Sequence, residues 1–272
     1  MNRKFSLGYL TVPGCPPPEM IYLAARAGYD YVSLRTIPMG LANEPDFGLA
    51  KNKKLLQQTK TAFAETGIKL HDIENARIYD GVDLKSYLPE IEIAAELGAR
   101  GFLTQCWTTD RDFMIEAFSE LCDFAKPLGL TANLEPVTWA NVTNITEALD
   151  ILQTANRENS ALLVDTLHFS RSRCNLEDLE KVPKDFFKFM HLCDAPREIP
   201  DNKEELIFTA REGRLYLGEG GIDIASIISK IPEVVYVIEL PNLERTKVIG
   251  NAEHAWRCLD TAKAYLKTMK AS

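Results

Sequence analysis

The chain has 272 residues, 46% of them hydrophobic, which is long enough for one large domain with a sizeable core. Its 31 basic and 39 acidic residues give a formal net charge of −8, which argues against a protein that binds a nucleic-acid backbone. The six cysteines are scattered without a Cys-x-x-Cys pair, as is typical of reduced thiols in a cytoplasmic protein. No stretch approaches 18 consecutive apolar residues and the N-terminus does not resemble a signal peptide, so we expect no membrane span and a cytoplasmic location.

Short apolar runs alternate with longer amphipathic ones along the chain. They predict eight strands, over residues 5–12, 29–36, 68–75, 100–107, 130–137, 160–166, 188–194 and 234–240. Helices are predicted over residues 17–28, 49–67, 84–99, 111–129, 145–156 and 251–270.

Alternating strands and helices indicate parallel strand–helix units. Eight such units in this length fit an α/β fold with a single (β/α)8 TIM barrel, spanning residues 1–272, better than an open doubly wound sheet. No Gly-x-Gly-x-x-Gly follows the first strand, which disfavours a dinucleotide-binding domain.

Four consecutive predicted strands carry a residue that can bind a metal ion. The fifth ends at Glu135 and the sixth at Asp165, while the seventh contains His191 and the eighth Glu239. Each residue alone has an ordinary interpretation as a cap, a loop residue or a core histidine. Together they should converge, because the carboxyl ends of barrel strands share one face, and three carboxylates would repel one another without a cation. Oxygen and nitrogen ligands without a thiolate suit one divalent ion, for which we expect Mn²⁺, with Mg²⁺ or Co²⁺ as alternatives.

Four short motifs extend this pattern: NLEP (133–136), VDTLH (164–168), HLCD (191–194) and GEGGIDI (218–224). With them the chain resembles the xylose-isomerase-like superfamily of sugar isomerases and epimerases, over nearly the whole barrel. The resemblance implies that Glu, Asp, His and Glu on strands five to eight are the metal ligands. Two finer spacings are similar to those of the ketose 3-epimerase branch: Asp165-x-x-His168 and His191-x5-Arg197. In that branch the second residue of each pair holds substrate hydroxyls and the carbonyl oxygen.

The expected substrate is a sugar or a related polyhydroxy carbonyl compound. A divalent ion would stabilise an enediolate as a Lewis acid, and Glu135 and Glu239 would act as base and acid on opposite faces of the substrate carbon. His168 and Arg197 would orient the substrate. A local hydrogen bond for His168 and a surface ion pair for Arg197 are the structural alternatives.

Further pocket residues are predicted at the ends of the second, third and fourth strands. Arg35, Glu74 and Trp107 are candidates for substrate binding, although a salt bridge, a packing role or an apolar lid would also explain them. His71 could line the pocket floor. The GEGGIDI turn could hold a phosphate, but Glu219 within it opposes an anion, so we favour a structural turn and a substrate without phosphate.

Three rival functions use the same features. A dehydratase of the same superfamily, acting on an inosose or on 3-dehydroshikimate, would share the metal and the proton abstraction. The abasic-site DNA endonuclease branch uses three zinc ions with extra histidines, whereas this chain has four histidines and none in "TQCW" (104–107). A non-catalytic barrel is disfavoured because all four ligands are present. We expect no nucleic-acid partner, and a homodimer or homotetramer between which the sequence does not choose.

Overall fold

The computed structural model of the chain describes residues 3–41 and 44–269. Eight parallel strands pair in chain order and close into a barrel, which confirms the predicted (β/α)8 fold. The strands are β1 (Phe5–Gly8), β2 (Tyr31–Arg35), β3 (Lys69–Glu74), β4 (Gly101–Thr104), β5 (Thr131–Leu134), β6 (Ser160–Asp165), β7 (Phe187–Leu192) and β8 (Val235–Ile238).

Ten α-helices cover the outside of the barrel in the described part of the chain. They are α1 (Pro17–Ala27), α2 (Lys53–Thr66), α3 (Leu88–Glu96), α4 (Arg111–Ala125), α5 (Ile145–Ala155), α6 (Thr166–Arg171), α7 (Leu176–Glu180), α8 (Lys203–Glu212), α9 (Ile224–Lys230) and α10 (Leu243–Thr268). None of them is long and apolar enough to cross a membrane.

Local sequence signals explain several boundaries and some departures from the prediction. Helix α1 begins at a proline and ends at Gly28, whose φ of 87° is left-handed. Strand β1 is shorter than predicted because residues 9–11 form a 3₁₀ turn. Helices α6, α7 and α8 were not predicted from the sequence. The long α10 is interrupted at Gly250, where φ is 77°, and the predicted final helical residue, Lys270, lies outside the described residues.

The barrel interior has an apolar floor. Leu163, Phe189 and Val237 pack there, and each lies two residues before a carboxylate or imidazole of the predicted metal site. Because side chains alternate along a strand, the same inward face carries the apolar floor and then the polar rim. His71 packs on this floor, since its ring lies 4.8 Å from that of Phe189 and its Nδ1 is 2.8 Å from Asp72 Oδ1.

Asp194, which follows β7, organises the glycine-rich turn at residues 218–222. Its carboxylate accepts hydrogen bonds from the backbone N–H groups of Gly218, Gly220 and Ile222, at 3.0–3.1 Å. The N–H groups of residues 219 and 221 donate to carbonyl oxygens within the fold. Gly220 is required because a Cβ there would lie 2.2 Å from the carbonyl oxygen of residue 195. Every amide of this turn is therefore engaged, which supports a structural turn over a phosphate-binding loop.

Replacement of Asp194 by alanine should lower the free energy of unfolding by at least about 3 kcal/mol, because several charge-assisted hydrogen bonds are lost together. Urea unfolding of the metal-free protein measures this change. Asp223→Ala is the matched control, since Asp223 is an exposed helix cap that accepts one hydrogen bond from Ser226, and it should cost about 1 kcal/mol. Equal losses in the two variants would contradict the organising role of Asp194.

Candidate metal centre

The four residues predicted as metal ligands converge at the carboxyl end of the barrel. Each of Glu135, Asp165, His191 and Glu239 offers one ligand atom, and these atoms lie within 4.8 Å of one another. All four side chains are buried. Within residues 3–41 and 44–269 no other group of His, Cys, Asp and Glu comes together in this way.

His191 lies at the centre of this cluster. Its Nδ1 is 3.4 Å from Glu135 Oε1, 3.4 Å from Glu239 Oε2 and 3.7 Å from Asp165 Oδ2. Both ring nitrogens are buried and make no hydrogen bond to the described residues, whereas buried polar atoms in folded proteins are nearly always partnered. Burial alone would lower the pKa of His191, but the surrounding carboxylates raise it well above its usual value. The cluster therefore attracts a cation strongly.

Asp165 has a second, local role that fixes its orientation. Its Oδ1 accepts hydrogen bonds from the backbone N–H groups of Leu167, at 2.6 Å, and His168, at 3.3 Å, and so caps helix α6. Its Oδ2 is left to face His191. The VDTLH motif thus couples a strand end, a helix start and the placement of His168 through one carboxylate.

Arg214 belongs to this cluster and was not predicted from the sequence. It is fully buried, and its Nη1 lies 2.7 Å from Asp165 Oδ2 while its Nη2 lies 2.9 Å from Glu239 Oε2. Its Nε donates to the carbonyl oxygen of Ala210, and its Nη1 also donates to the carbonyl oxygen of Glu239. Arg214 follows α8 in an irregular segment, so neither a strand end nor helical periodicity predicts where its side chain lies. Only its position four residues before the GEGG sequence could have drawn attention to it.

The charges at the centre leave a deficit of two positive charges. Three carboxylates contribute −3 and Arg214 contributes +1, so the sum is −2 when His191 is neutral. Burial alone would raise the pKa values of Asp165 and Glu239, but Arg214 and His191 hold both below their usual values. Both carboxylates are thus ionised, and one divalent ion would balance the cluster. The donor set and the unpartnered His191 nitrogens fit such an ion.

The cluster opens into a cavity that brings together most of the other predicted site residues. Arg35, Glu74, Trp107 and His168 line it beside Glu135 and Glu239. Arg197 is different: it is exposed, it is not among the lining residues, and a side chain on Gly221 would collide with it. The structure therefore does not bring Arg197 to the cavity, and the arginines on its walls are Arg35, Arg211 and Arg214.

Glu74 and Arg35 form a buried ion pair in the cavity wall. They lie at the ends of β2 and β3, whereas the predicted ligands come from β5 to β8. Arg35 Nη2 lies 2.8 Å from Glu74 Oε2, and Arg35 Nη1 lies 3.6 Å from Glu44 Oε1. The salt-bridge alternative for Arg35 is thus present within the cavity wall itself. Burial raises the pKa of Glu74 to about 7 despite the arginine. The other carboxylate oxygen, Oε1, is buried without a hydrogen-bond partner among the described residues.

His168 is held as a neutral hydrogen-bond donor. Its Nδ1 accepts from the backbone N–H of Thr138 at 3.4 Å, so the proton of the neutral ring resides on Nε2. Burial lowers the pKa of His168, which keeps the ring neutral at pH 7. The edge of the Trp139 indole packs on it with ring centroids 5.1 Å apart. Its local hydrogen bond therefore orients the ring and does not replace a role in the cavity.

Two further cavity residues were missed from the sequence. Asn75 follows β3 directly, and both atoms of its side-chain amide are buried without a partner in the described chain. Gln105 donates from Nε2 to Glu135 Oε2 and fixes that carboxylate. Trp107, which was predicted, also has an unpartnered buried Nε1. These atoms would be satisfied by a polar ligand, because buried donors and acceptors without partners are costly.

Comparison with known proteins identifies similarity to inosose isomerases. The chain is 25% identical to the inosose isomerase of Bacillus velezensis over 78% of its length and 77% of that protein. It is 30% identical to the inosose isomerase of Bacillus licheniformis, but over only 44% of this chain and 42% of that protein.

Solved structures share the fold at lower identity. A structure of the IOLI protein with a zinc atom superimposes with a TM-score of 0.80 at 21% identity, covering 98% of this chain and 99% of that one. The D-allulose 3-epimerase from Methylomonas sp. superimposes with a TM-score of 0.68 at 17% identity, covering 97% of both chains. A family model described as xylose isomerase-like TIM barrel matches residues 21–261. The chain belongs to the xylose isomerase-like TIM barrel family.

Proposed function

We propose that the protein is a divalent-metal-dependent isomerase or epimerase of a polyhydroxy carbonyl compound, acting by proton abstraction next to the carbonyl. The observation that carries this proposal is the buried, unpartnered His191 among three carboxylates, at the end of a cavity lined by polar groups. Membership of the family and the similarity to inosose isomerases support the substrate class.

Glu135, Asp165, His191 and Glu239 would hold the ion. When bound, a divalent ion supplies Lewis-acid stabilisation of the negative charge that forms on the carbonyl oxygen. Three oxygens and one nitrogen suit Mn²⁺, with Mg²⁺ or Co²⁺ as alternatives. Arg214 keeps two of these carboxylates ionised and oriented, and so acts as a positioning residue.

Glu135 and Glu239 are the proposed base and acid, and the structure distinguishes their surroundings. Gln105 donates to Glu135 Oε2, so that this carboxylate has one oxygen facing His191 and one held by an amide. Glu239 Oε2 pairs with Arg214, whereas its Oε1 accepts no hydrogen bond from the described residues and belongs to a side chain that lines the cavity. Glu239 is therefore better placed to take a proton from a substrate carbon. His168 would donate its Nε2 proton to a substrate oxygen.

Dehydration is the second candidate, because Glu74 offers an acid of suitable strength. A buried carboxyl group with a pKa of about 7 is partly protonated at neutral pH and can protonate a departing hydroxyl group. Mass analysis of the product distinguishes the two reactions, since only dehydration removes water. An endonuclease is less compatible with the structure, because the cavity is a small one of ≈110 Å³ and the described residues hold a single metal-ligand cluster.

Exchange of the proton next to the carbonyl tests the proposed chemistry. The Mn²⁺-loaded protein should incorporate deuterium from solvent into at least one member of a panel of ketoses, inososes and cyclic keto acids, detected by NMR. Glu239→Gln and Glu135→Gln should each slow exchange by about 10²-fold or more, because a general base is lost. No exchange with any panel member would contradict the proposal.

Because Glu135 and Glu239 are also proposed metal ligands, the metal content of each variant must be measured. It shows whether exchange was lost with the base or with the ion. Exchange that is lost while bound metal is retained assigns the base, and exchange that survives removes that residue from the role. Glu90→Gln is the matched control, because Glu90 is a buried glutamate that bonds to backbone amides away from this cavity, and it should leave exchange unchanged.

Metal binding should release about one proton at neutral pH and tighten about tenfold per pH unit on the acidic side of the His191 pKa. The sign follows from the raised pKa: the metal-free ring is protonated, and an ion requires it neutral. Calorimetric titration with Mn²⁺ in buffers of different ionisation enthalpy measures this release. His191→Asn should abolish binding, whereas His254→Asn, at a buried histidine outside the cluster, should retain it. Binding independent of pH would contradict the assignment.

Arg214→Met should lower the free energy of unfolding of the metal-free protein by about 3–5 kcal/mol, because two buried carboxylates lose their partner. Saturating Mn²⁺ should recover part of this loss, since an ion supplies the missing charge. Urea unfolding with EDTA or with Mn²⁺ measures both. Arg257→Met, which breaks an exposed pair with Glu253, should change stability by less than about 1 kcal/mol. An Arg214 variant as stable as this control would refute the compensating role.

A further inference from the structure

Arg211 lies on the wall of the cavity that also contains the metal-ligand cluster. It occupies the last turn of α8, three residues before Arg214, and its side chain is half-buried. It lines the same cavity as Arg35, Glu74 and Glu239. Its guanidinium is therefore accessible to a molecule bound at that cluster.

The other arginines around this cavity have acceptors. Arg214 pairs with Asp165 and Glu239, and Arg35 pairs with Glu74. Arg77, which lines the adjoining cavity, donates to the carbonyl oxygen of Met39. Arg211 makes no ion pair and no side-chain hydrogen bond with any residue in the described ranges, 3–41 and 44–269.

The electrostatic surroundings of Arg211 are unfavourable for a cation. Burial lowers its pKa first, and the positive charges of Arg35 and Arg77 lower it further, outweighing Glu44 and Glu212. Glu44 is itself paired with Arg35 at 3.6 Å, and Glu212 is exposed. A half-buried guanidinium without a counter-ion is costly, and a bound anion would remove that cost.

We infer that the substrate carries a carboxylate group, which Arg211 binds on the α8 side of the cavity. This inference rests on the proposed function, since it names the substrate class of the same site. It narrows the proposed substrate class from polyhydroxy carbonyl compounds in general to polyhydroxy keto acids. The planar fork of a guanidinium matches a carboxylate with two parallel hydrogen bonds, and charge-assisted bonds of this kind are the stronger ones.

A carboxylate fits better than a phosphate. Phosphate sites commonly combine a cation with several free backbone N–H groups, as at a glycine-rich turn. The glycine-rich turn of this chain has all five amides of residues 218–222 engaged by Asp194 and by carbonyl oxygens. A single arginine without such amides is sufficient for a carboxylate.

Equilibrium binding to the metal-loaded protein tests this inference without turnover. Shikimate and its methyl ester share the ring and the hydroxyls and differ in the negative charge. Calorimetry should show that shikimate binds at least about tenfold more tightly than the ester, and that this ratio falls to about one in Arg211→Gln. Arg211→Lys keeps the charge but not the fork, and should retain a reduced preference.

Arg77→Gln is the matched control, because it removes an equal charge near Arg211 at a residue that is not among those lining this cavity. It should leave the preference for shikimate within about twofold, since its effect is screened and indirect. Thermal unfolding of each variant verifies the fold. A preference lost equally in Arg77→Gln and Arg211→Gln would indicate a diffuse positive field and would overturn direct binding.

Other outcomes also decide the inference. Wild-type protein that binds shikimate no more tightly than its ester, including protein that binds neither, overturns it. A second pair of ligands, myo-inositol 1-phosphate and myo-inositol, tests whether the site prefers a phosphate group. Tighter binding of the charged ligand in this pair alone would overturn the assignment to a carboxylate. If Arg211 does not bind a carboxylate, deuterium exchange with neutral ketoses would still occur. Loss of exchange with every substrate, alongside a charge preference that depends on Arg211, would instead refute the proposed chemistry alone.

Discussion

Three carboxylates buried within a few ångströms of one another require compensating positive charge, and much of the structure serves to place it. Arg214 supplies one positive charge from a position with almost no solvent exposure, and it bonds to two of the three carboxylates at once. Its segment is held in place by backbone hydrogen bonds in both directions between Asp194 and Leu215. Asp194 in turn follows β7, three residues after His191. The same strand therefore carries one ligand and anchors the counter-charge for two others.

The cavity walls divide along the chain. Strands β5 to β8 contribute the residues that would hold the ion, whereas the ends of β2, β3 and β4 and helix α8 contribute Arg35, Glu74, Asn75, Trp107 and Arg211. The first half of the barrel thus presents unpartnered polar atoms of Glu74, Asn75 and Trp107, and the second half presents the clustered carboxylates with the unpartnered His191. In this arrangement, the residues of the first half and of α8 can change while the metal-ligand cluster stays the same.

The features that could be predicted from the sequence are those that periodicity and topology determine. Glu135, Asp165, His191 and Glu239 could be grouped because parallel strands in a closed barrel bring their carboxyl ends together. Arg214 could not, because it lies in an irregular segment whose direction depends on tertiary packing. Asn75 ended the predicted third strand, so the same strand-end argument could have included it. Arg197 shows the converse: its spacing from His191 matched a known branch, yet the loop after β7 leaves it exposed. The oligomeric state and the cytoplasmic location stay predictions, since they depend on surfaces and partners that neither strand pattern nor barrel closure determines.

The guanidinium of Arg214 also affects the order in which the chain folds and takes up an ion. Because it neutralises part of the carboxylate cluster from within the chain, the barrel can close before any ion arrives. Polypeptide folding and the proposed ion uptake would then be separate steps, and a bound ion could leave and be replaced without unfolding. Under those conditions the supply of ions around the protein, and not the folding pathway, would select which one is carried.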